Sequence, residues 1–337
     1  MGQSLRFATR AALIDLILWR PSGLVLCTEL TLEPLRRLGA RRIVNPMWRL
    51  ISNFRSLLPI RWLREGVPLV PVVRLNGAIG AAGGFGGGLS MAGLARNLET
   101  AFSIRGIKAV ALAVNSPGGS PVQSNLIFTR IRALAEENEV PVFAFAEDVA
   151  ASGGYWLLCA GDEIYADSAS IIGSIGVISA GFGFPEMIAK LGIERRVYAE
   201  GSQKGMLDSF SVEKPADIKR LKAIQKSIHE GFMALVRSRR GKKLNGDEKK
   251  IFSGEFWTGE QALELGLVDG IGDLRTVMRA RYGEKVRLRV VASRPNRLRR
   301  WIGRASEPNG GLGDAGDWPS RALSAIEARL LWSRFGL

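Results

Sequence analysis

From residue 67 onward, short apolar runs rich in Val, Ile and Ala alternate with longer segments of mixed polarity. Continuous apolar runs of this kind are typical of strands buried on both faces, whereas apolar residues repeated every three or four positions are typical of amphipathic helices. Strands that alternate with helices predict βαβ crossovers and a parallel sheet. The pattern therefore predicts an α/β fold for this part of the chain.

The same pattern gives bounds for each element. We predict strands at 67–75, 107–114, 141–146, 163–166, 193–199 and 286–291. We predict helices at 90–103, 121–138, 184–191, 215–240 and 258–265, with a short helix that begins near residue 153. A glycine-rich loop, 77–88, lacks the Lys-Ser/Thr ending of a P-loop, so we interpret it as a flexible connection and not as a phosphate site.

Composition divides the chain into three parts. Residues 1–66 carry 11 Arg against 4 acidic residues and are broken by Pro, which predicts a helical, basic N-terminal segment. Residues 67–290 form the predicted central domain. Residues 291–337, rich in Pro, Gly and Arg, form a basic tail that we predict to be loosely ordered. The net charge of +15 lies almost wholly outside residues 67–284, because these carry 25 Lys and Arg against 24 acidic residues.

The flanks also contain six of the eight tryptophans, which are Trp19, Trp48, Trp62, Trp301, Trp318 and Trp332. Arg together with Trp suits an anionic membrane surface. Solvated tails also fit this composition, and nucleic acid is the least favoured partner. No segment has the roughly 18 apolar residues of a membrane span, and Asp15 interrupts the one region that resembles a signal peptide. We therefore expect an inner-membrane-associated or cytoplasmic protein with no clear transmembrane helix or cleavable signal peptide.

Few side chains are available for catalysis. The chain has one His, His229, inside a predicted helix, and two Cys, Cys27 and Cys159. A lone helical His is typical of a surface or core position, and a zinc site needs more ligands than these, so we predict no metal. Two Cys form no disulfide framework. A hydrolase of this composition would need a base other than His, and Lys serves as one when its surroundings lower its pKa.

Two strand-to-helix turns carry the candidate chemistry. In the first, Asn115–Ser120, two successive glycines let backbone N–H groups converge at a helix N-terminus, as an oxyanion hole requires. In the second, Ala150–Trp156, small neighbours expose the hydroxyl of Ser152, as in a nucleophile elbow. Taken singly, the first could be a plain β–α turn and Ser152 could be a helix N-cap. Their occurrence at consecutive crossovers of one sheet favours a catalytic site.

Four motifs in this order resemble the signal peptide peptidase A (protease IV) family of bacterial serine peptidases. They are NSPGGS at 115–120, ASGGYW at 151–156, GSIGV at 173–177 and GSQK at 201–204. The resemblance covers about residues 68–290. It implies a crotonase/Clp protease-like α/β core of βαβ units with a parallel sheet.

The resemblance also implies an activity and a set of residues. The activity is hydrolysis of hydrophobic peptides, such as signal-peptide remnants, without a cofactor. Ser152 would be the nucleophile, Lys204 the general base, and Ser174 a hydroxyl that orients the Lys. Gly119 and Gly153 would supply oxyanion N–H groups. The chain departs from the family by lacking a clear N-terminal membrane anchor and by having one domain where double-length members have two, so a ring-like homo-oligomer is expected.

Two other function classes stay open at this point. A crotonase-type acyl-CoA enzyme would share the fold and the oxyanion hole, but it usually needs a Glu or Asp base. A non-catalytic membrane scaffold would need neither an oxyanion hole nor a base. The combination of Ser152, Ser174 and Lys204 argues against a scaffold, because an idle site has no physical need for a buried Lys.

The basic flank gives a first testable prediction. The full chain should bind vesicles of anionic lipid, and the binding should weaken as salt rises, because the attraction of Arg to the surface is screened. A variant that begins at Val67 should stay folded and lose the binding. Co-sedimentation with vesicles at low and high salt measures both effects, and identical partitioning of the two chains would contradict the prediction.

Overall fold

The computed structural model describes residues 67–80, 88–291, 326 and 329–336. The predicted N-terminal segment with Cys27, most of the predicted tail, and residues 81–87 of the glycine-rich loop lie outside the described residues. Within the described ranges, no helix combines the length and the apolar character that crossing a bilayer requires. Most of the described residues belong to the predicted central domain.

An eight-stranded sheet forms the centre of the fold. Its strands are β1 Leu69–Asn76, β2 Val110–Ser116, β3 Val142–Ala151, β4 Glu163–Ala166, β5 Ile171–Gly173, β6 Phe256–Thr258, β7 Gly270–Ile271 and β8 Arg287–Val291. The helices are α1 Met91–Ser103, α2 Pro121–Asn138, α3 Gly153–Leu158, α4 Pro185–Lys190, α5 Pro215–Arg240, α6 Glu248–Ile251, α7 Gly259–Glu264 and α8 Leu274–Tyr282. A 3₁₀ turn, Gly241–Lys243, follows α5.

The strand order is β6-β5-β3-β2-β1-β8, and all these neighbours are parallel except β5 and β6. Strand β3 is long enough to change partners. Its first half pairs with β4, which in turn pairs with β7, and its last residues, Val149–Ala151, pair with β5. A register shift between β2 and β3 accompanies this change. The carboxyl ends of β2, β3 and β5 therefore meet along one edge of the sheet.

Both faces of the sheet bury apolar side chains, in agreement with the continuous apolar runs of the sequence. On one face, Leu75, Leu112 and Val114 pack in a core cluster with residues of α1, α2 and α3. On the other face, Val72 and Phe145 belong to a smaller cluster with Met278 of α8. Alternation along a strand assigns successive residues to opposite faces, so β1, β2 and β3 each contribute to both clusters.

The predicted α/β class, with parallel strands in βαβ units, is confirmed. One predicted strand is wrong: residues 193–199 form no regular structure. Their β-branched pattern is compatible with a strand, but Ile193, Val197 and Tyr198 are exposed and no strand of this sheet lies beside them. Strand β3 is longer than predicted and takes in residues 147–151. The sequence analysis missed β5, β6, β7, α6 and α8, most of which are too short to give a periodic signal.

A buried ion pair joins the end of α5 to the sheet. The Arg240 guanidinium, 2% exposed, donates two hydrogen bonds to the Asp269 carboxylate, at 2.8 and 3.0 Å. Asp269 also accepts the backbone N–H of Ile164 in β4 at 2.9 Å and the Lys243 ammonium at 2.8 Å. Burial raises the pKa of Asp269, but the hydrogen bonds from Arg240 and Lys243 outweigh it and hold the pKa below its ordinary value. The pair therefore fixes α5 against the strand that borders β3.

Replacing Arg240 should destabilise the domain and make its free energy of unfolding depend less on pH under acid conditions. Arg240→Met should cost about 3–5 kcal/mol at pH 7, because it leaves the Asp269 charge without its main partner. A carboxyl whose folded pKa is lowered stabilises the fold above its unfolded pKa of about 4 and loses this contribution as the pH falls through the folded pKa. The difference in free energy of unfolding between wild type and the variant should therefore become smaller under acid conditions.

Urea unfolding at several pH values would measure this deficit. Arg237→Met, on the same helix, is the control, because Arg237 and Glu248 form an exposed pair and such pairs contribute about 1 kcal/mol or less. Equal losses in the two variants would contradict a special role for the buried pair.

Candidate active site

Ser152 lies at the sharp turn between β3 and α3. Its backbone has φ +53° and ψ −121°, a conformation that costs a residue with a side chain about 1–3 kcal/mol. Its backbone N–H donates to the carbonyl of Gly173 at 2.7 Å, which ties the turn to β5. The Ser152 hydroxyl makes no capping hydrogen bond to α3, so the alternative of a simple N-cap does not describe this residue. The turn presents the hydroxyl at the carboxyl edge of the sheet.

The neighbouring turn, Asn115–Ser120, is held by side chains buried beneath it. The Ser116 hydroxyl donates to the carbonyl of Gly77 at 2.7 Å and accepts the N–H of Gly118 at 3.2 Å. The Asn115 amide donates to Asp148 of β3 at 2.7 Å and accepts the N–H of Val149 at 3.2 Å. The first turn is thus fixed both to β1 and to the strand that carries Ser152.

The two turns approach each other backbone to backbone, and glycine makes this possible. A Cβ at Gly118 would lie 2.7 Å from the Cβ of Ser152 and 2.9 Å from the nitrogen of Gly153. A Cβ at Gly119 would lie 2.1 Å from the carbonyl oxygen of Ile79. The φ angles of Gly118 and Gly119, +102° and +142°, also belong to a region that favours glycine. A side chain at Gly118 would push the two turns apart, and one at Gly119 would push the first turn away from Ile79.

The N–H groups of Gly119 and Gly153 are both available as donors. The residues on either side of Gly119 bond to Ile79, since the Ile79 N–H donates to Gly118 and the Ser120 N–H donates to Ile79, each at 2.8 Å. Gly153 is the first residue of α3, where an N–H has no partner within the helix. Across the described part of the chain, neither N–H donates to a backbone carbonyl. Such donors beside a serine hydroxyl can stabilise a developing oxyanion.

Ser174 shares a cavity of about 220 Å³ with Ser152. Ser174 follows β5 with φ +51° and is buried, and its N–H donates to the carbonyl of Glu255 at 2.7 Å. The other residues that line this cavity are Gly176, Val177, Ile178, His229, Ser253, Gly254 and Arg334. None of these lining residues is acidic. The structure thus brings Ser174 next to Ser152 and packs the turn Asn115–Ser120 against the turn that contains Ser152.

Lys204 lies elsewhere in this single chain. It is exposed in a turn of residues 177–213, a segment that we call the arm, and it is not among the residues that line the Ser152 cavity. No hydrogen bond joins the Lys204 ammonium to Ser152 or Ser174 among the described residues. The arm has internal order: the Arg195 guanidinium donates to Asp208 at 2.9 Å and stacks over Phe210, and Phe210 packs on Phe184. In this single chain the arm therefore leaves Lys204 outside the lining of the Ser152 cavity.

The sequence analysis missed His229 as a cavity residue. Its ring Nε2 lies 3.0 Å from the carbonyl oxygen of Ile175, next to Ser174. A usable signal was present, because His229, Phe232, Val236 and Arg240 follow one another at helical spacing and the last three are buried. The residue thus belongs to the face of α5 that packs against the domain.

Thiol and metal chemistry find no support in the described residues. Burial raises the pKa of the Cys159 thiol to about 12, which keeps it protonated near neutral pH. No group of His, Cys, Asp or Glu side chains in the described ranges is arranged to hold a metal ion. The serine hydroxyls are therefore the candidate nucleophiles of this cavity.

The close approach of the turns gives a prediction at Gly118. Gly118→Ala should displace the Ser152 turn and abolish labelling of Ser152 by a fluorophosphonate probe, because the new Cβ would collide with backbone atoms. Gly106→Ala is the control: its φ is also positive, at +75°, but nothing lies within 4 Å of the added Cβ. The control should lose about 1 kcal/mol of stability and keep its labelling. Normal labelling of folded Gly118→Ala would contradict the role given to this contact.

Comparison with known proteins places this site in a family context. Residues 135–287 match the model of peptidase family S49. A putative signal peptide peptidase SppA from Enterococcus faecium is 32% identical over 168 residues, which cover 50% of this chain and 48% of that protein. The 1510-N membrane-bound stomatin-specific protease, a solved structure, covers 68% of this chain at 18% identity with a TM-score of 0.44.

A protein of Brucella abortus named Na(+)/H(+) antiporter NhaA is 50% identical over 292 residues. The match covers 84% of this chain but 39% of that protein, so most of that protein lies outside the match and its name gives no activity to this chain. The chain spans less than half the length of these two sequence relatives. The S49 match over residues 135–287 and the SppA relative together support the signal peptide peptidase A family, peptidase family S49, as the family of this part of the chain.

Proposed function

We propose that the protein is a serine endopeptidase in which Ser152 is the nucleophile and Lys204 is the general base. The observation that carries the proposal is the strained Ser152 turn, packed against Gly118, with the N–H groups of Gly119 and Gly153 available beside it. This arrangement fits acyl transfer, because it combines a serine that lines a cavity with donors for the charge that develops on the attacked carbonyl.

The proposed reaction has two steps. Ser152 Oγ attacks the carbonyl carbon of the scissile peptide while its proton passes to the neutral amine of Lys204, and the resulting oxyanion accepts hydrogen bonds from Gly119 and Gly153. The tetrahedral intermediate collapses as the C–N bond breaks, and Lys204 returns the proton to the leaving amine. Water then attacks the carbonyl carbon of the acyl-enzyme and gives a proton to Lys204. The bond from this carbon to Ser152 Oγ breaks, Lys204 passes the proton to Oγ, and the carboxylic acid product leaves.

We propose further that a neighbouring copy of the chain supplies Lys204. A Lys side chain is a general base only where burial or neighbouring charges favour its neutral form, and Lys204 is exposed in the single chain. The arm that carries it also exposes large apolar side chains, namely Ile178, Phe182, Met187, Leu191, Ile193, Val197, Tyr198 and Val212. Apolar surface of this extent is typical of a protein interface. Docking the arm on a second subunit would bury these side chains and bring Lys204 out of water.

An apolar groove next to the nucleophile turn supports hydrophobic peptides as substrates. The groove, about 400 Å³, lies between α2 and α5 and is lined by Trp156, which is one turn of helix beyond Ser152, and by Pro121, Val122, Asn125, Leu126, Ile228, Gly231 and Leu235. Val122 and Leu126 are exposed. A peptide whose scissile bond lies at Ser152 could place an apolar side chain here. None of the described residues that line the Ser152 cavity is acidic, which disfavours an acyl-CoA enzyme with a carboxylate base.

Complementation between inactive variants tests both parts of the proposal. Ser152→Ala and Lys204→Ala should each lose at least about a hundredfold in hydrolysis of a Leu-rich peptide, because the nucleophile or its base is gone. Lys204→Arg should fail as well, since a guanidinium does not release its proton. After mixing under conditions that exchange subunits, Ser152→Ala and Lys204→Ala should recover up to about a quarter of wild-type activity, because one neighbouring pair in four joins an intact Ser to an intact Lys.

The control for this experiment is a mixture of Ser152→Ala with the double variant Ser152→Ala/Lys204→Ala, which should stay inactive. A wild type that hydrolyses no peptide would refute the proposed function. An active wild type whose variant mixture stays inactive, although labelled subunits exchange, would retain the peptidase and refute the shared site.

A further inference from the structure

The ring of His229 contacts the segment that carries Ser174. The Nε2 atom lies 3.0 Å from the carbonyl oxygen of Ile175, and His229 lines the same cavity as Ser152 and Ser174. Ile175 is fully buried. Its carbonyl is thus a group that needs a hydrogen-bond partner, because a buried carbonyl without one costs about 1–3 kcal/mol.

Helix α5 is fixed in position relative to the nucleophile. The Phe232 ring, one turn beyond His229, stacks on Trp156 of α3 at 4.7 Å between ring centroids, and α3 begins directly after Ser152. Arg240, two turns further, forms the buried pair with Asp269. His229 is therefore held by the same helix that packs against the Ser152 turn, so its hydrogen bond to Ile175 links the Ser174 segment to that turn.

The Ser174 segment needs such support because its backbone is strained. Ser174 has φ +51°, which costs a residue with a Cβ about 1–3 kcal/mol. Three backbone hydrogen bonds hold the segment: Ser152 N–H to Gly173 at 2.7 Å, Ser174 N–H to Glu255 at 2.7 Å and Gly176 N–H to Ser174 at 2.9 Å. The carbonyl of Ile175 is left for a side chain, and the His229 ring is the side chain that reaches it.

From these contacts we infer that His229 is a positioning residue that holds the Ser174 hydroxyl in place by a hydrogen bond from its Nε2–H to the Ile175 carbonyl. The kinetic part of this inference rests on the proposed peptidase function. His229 acts through Ser174 and takes no proton from Ser152. Because the ring donates through Nε2, its neutral form is the Nε2–H tautomer, and Nδ1 is an acceptor.

The chain has a single histidine, so its ring nitrogens can be observed without ambiguity. Two-bond ¹H–¹⁵N spectra of the full-length protein, prepared with no added polyhistidine, should show the Nε2–H tautomer in the neutral form. The Nε2 proton should also exchange slowly with water. A dominant Nδ1–H tautomer, or an Nε2 proton that exchanges as fast as that of a free imidazole, would overturn the inference. This measurement does not depend on peptidase activity.

A double-mutant cycle tests the link to Ser174. His229→Leu should lower kcat by about tenfold, the rate equivalent of one lost hydrogen bond, and leave KM within about twofold. His229→Gln, which keeps an N–H donor at similar reach, should recover most of the loss. In a Ser174→Ala background, His229→Leu should cause no further loss, because the hydroxyl that His229 positions is already absent.

Lys226→Leu is the matched control, since Lys226 lies one turn away on α5 with a side chain that is 79% exposed, and its kcat should equal that of wild type. Circular dichroism of each variant should be measured first, so that rates are compared only among folded proteins. Equal losses from His229→Leu in the wild-type and Ser174→Ala backgrounds would overturn the inference, as would failure of His229→Gln to recover activity while folded. If the wild type is inactive but shows the expected Nε2–H tautomer, the proposed peptidase function is refuted while the hydrogen bond from His229 to Ile175 is retained.

Discussion

The candidate site depends on one constraint, which is the contact between two backbone turns with no side chain between them. The Gly118 position lies so close to Ser152 and Gly153 that even a methyl group would collide with both. This closeness brings the turn that contains Gly119 against the turn that contains Ser152 and Gly153. The rest of the domain maintains the contact: Ser116 and Asn115 hold one turn, and the pairing of β3 with β5 holds the other.

The parts of the site that lie in local motifs could be predicted from sequence. The successive glycines at 118–119 and 153–154, each after an apolar strand and before a helix, indicated the two turns. Helix α5 was predicted with its observed bounds, 215–240, because its amphipathic pattern is long enough to exclude other structures. In these cases, local conformation and chain connectivity determine the position of the side chain, and both can be read from neighbouring residues.

The parts that depend on distant partners could not be predicted. Strands β5 and β6 are three residues each, and their conformation follows from pairing with each other and with the end of β3. Residues 193–199 have the composition of a strand, but a strand also needs a partner, and none of the described strands pairs with them. His229 was taken for an ordinary helical residue because its partner, the Ile175 carbonyl, lies 54 positions away and belongs to the backbone.

If the chain assembles as proposed, the exposed arm has a consequence for the single subunit. A freshly folded subunit would present the side chains of Phe182, Leu191 and Tyr198 to water, and such surface promotes unspecific association as concentration rises. Assembly and aggregation would then compete for the same residues, so solubility would depend on how quickly subunits find one another. If Lys204 reaches its site only in that assembly, a subunit released alone would carry no peptidase activity. The cell would then be protected from stray proteolysis at the stage when the chain itself is least soluble.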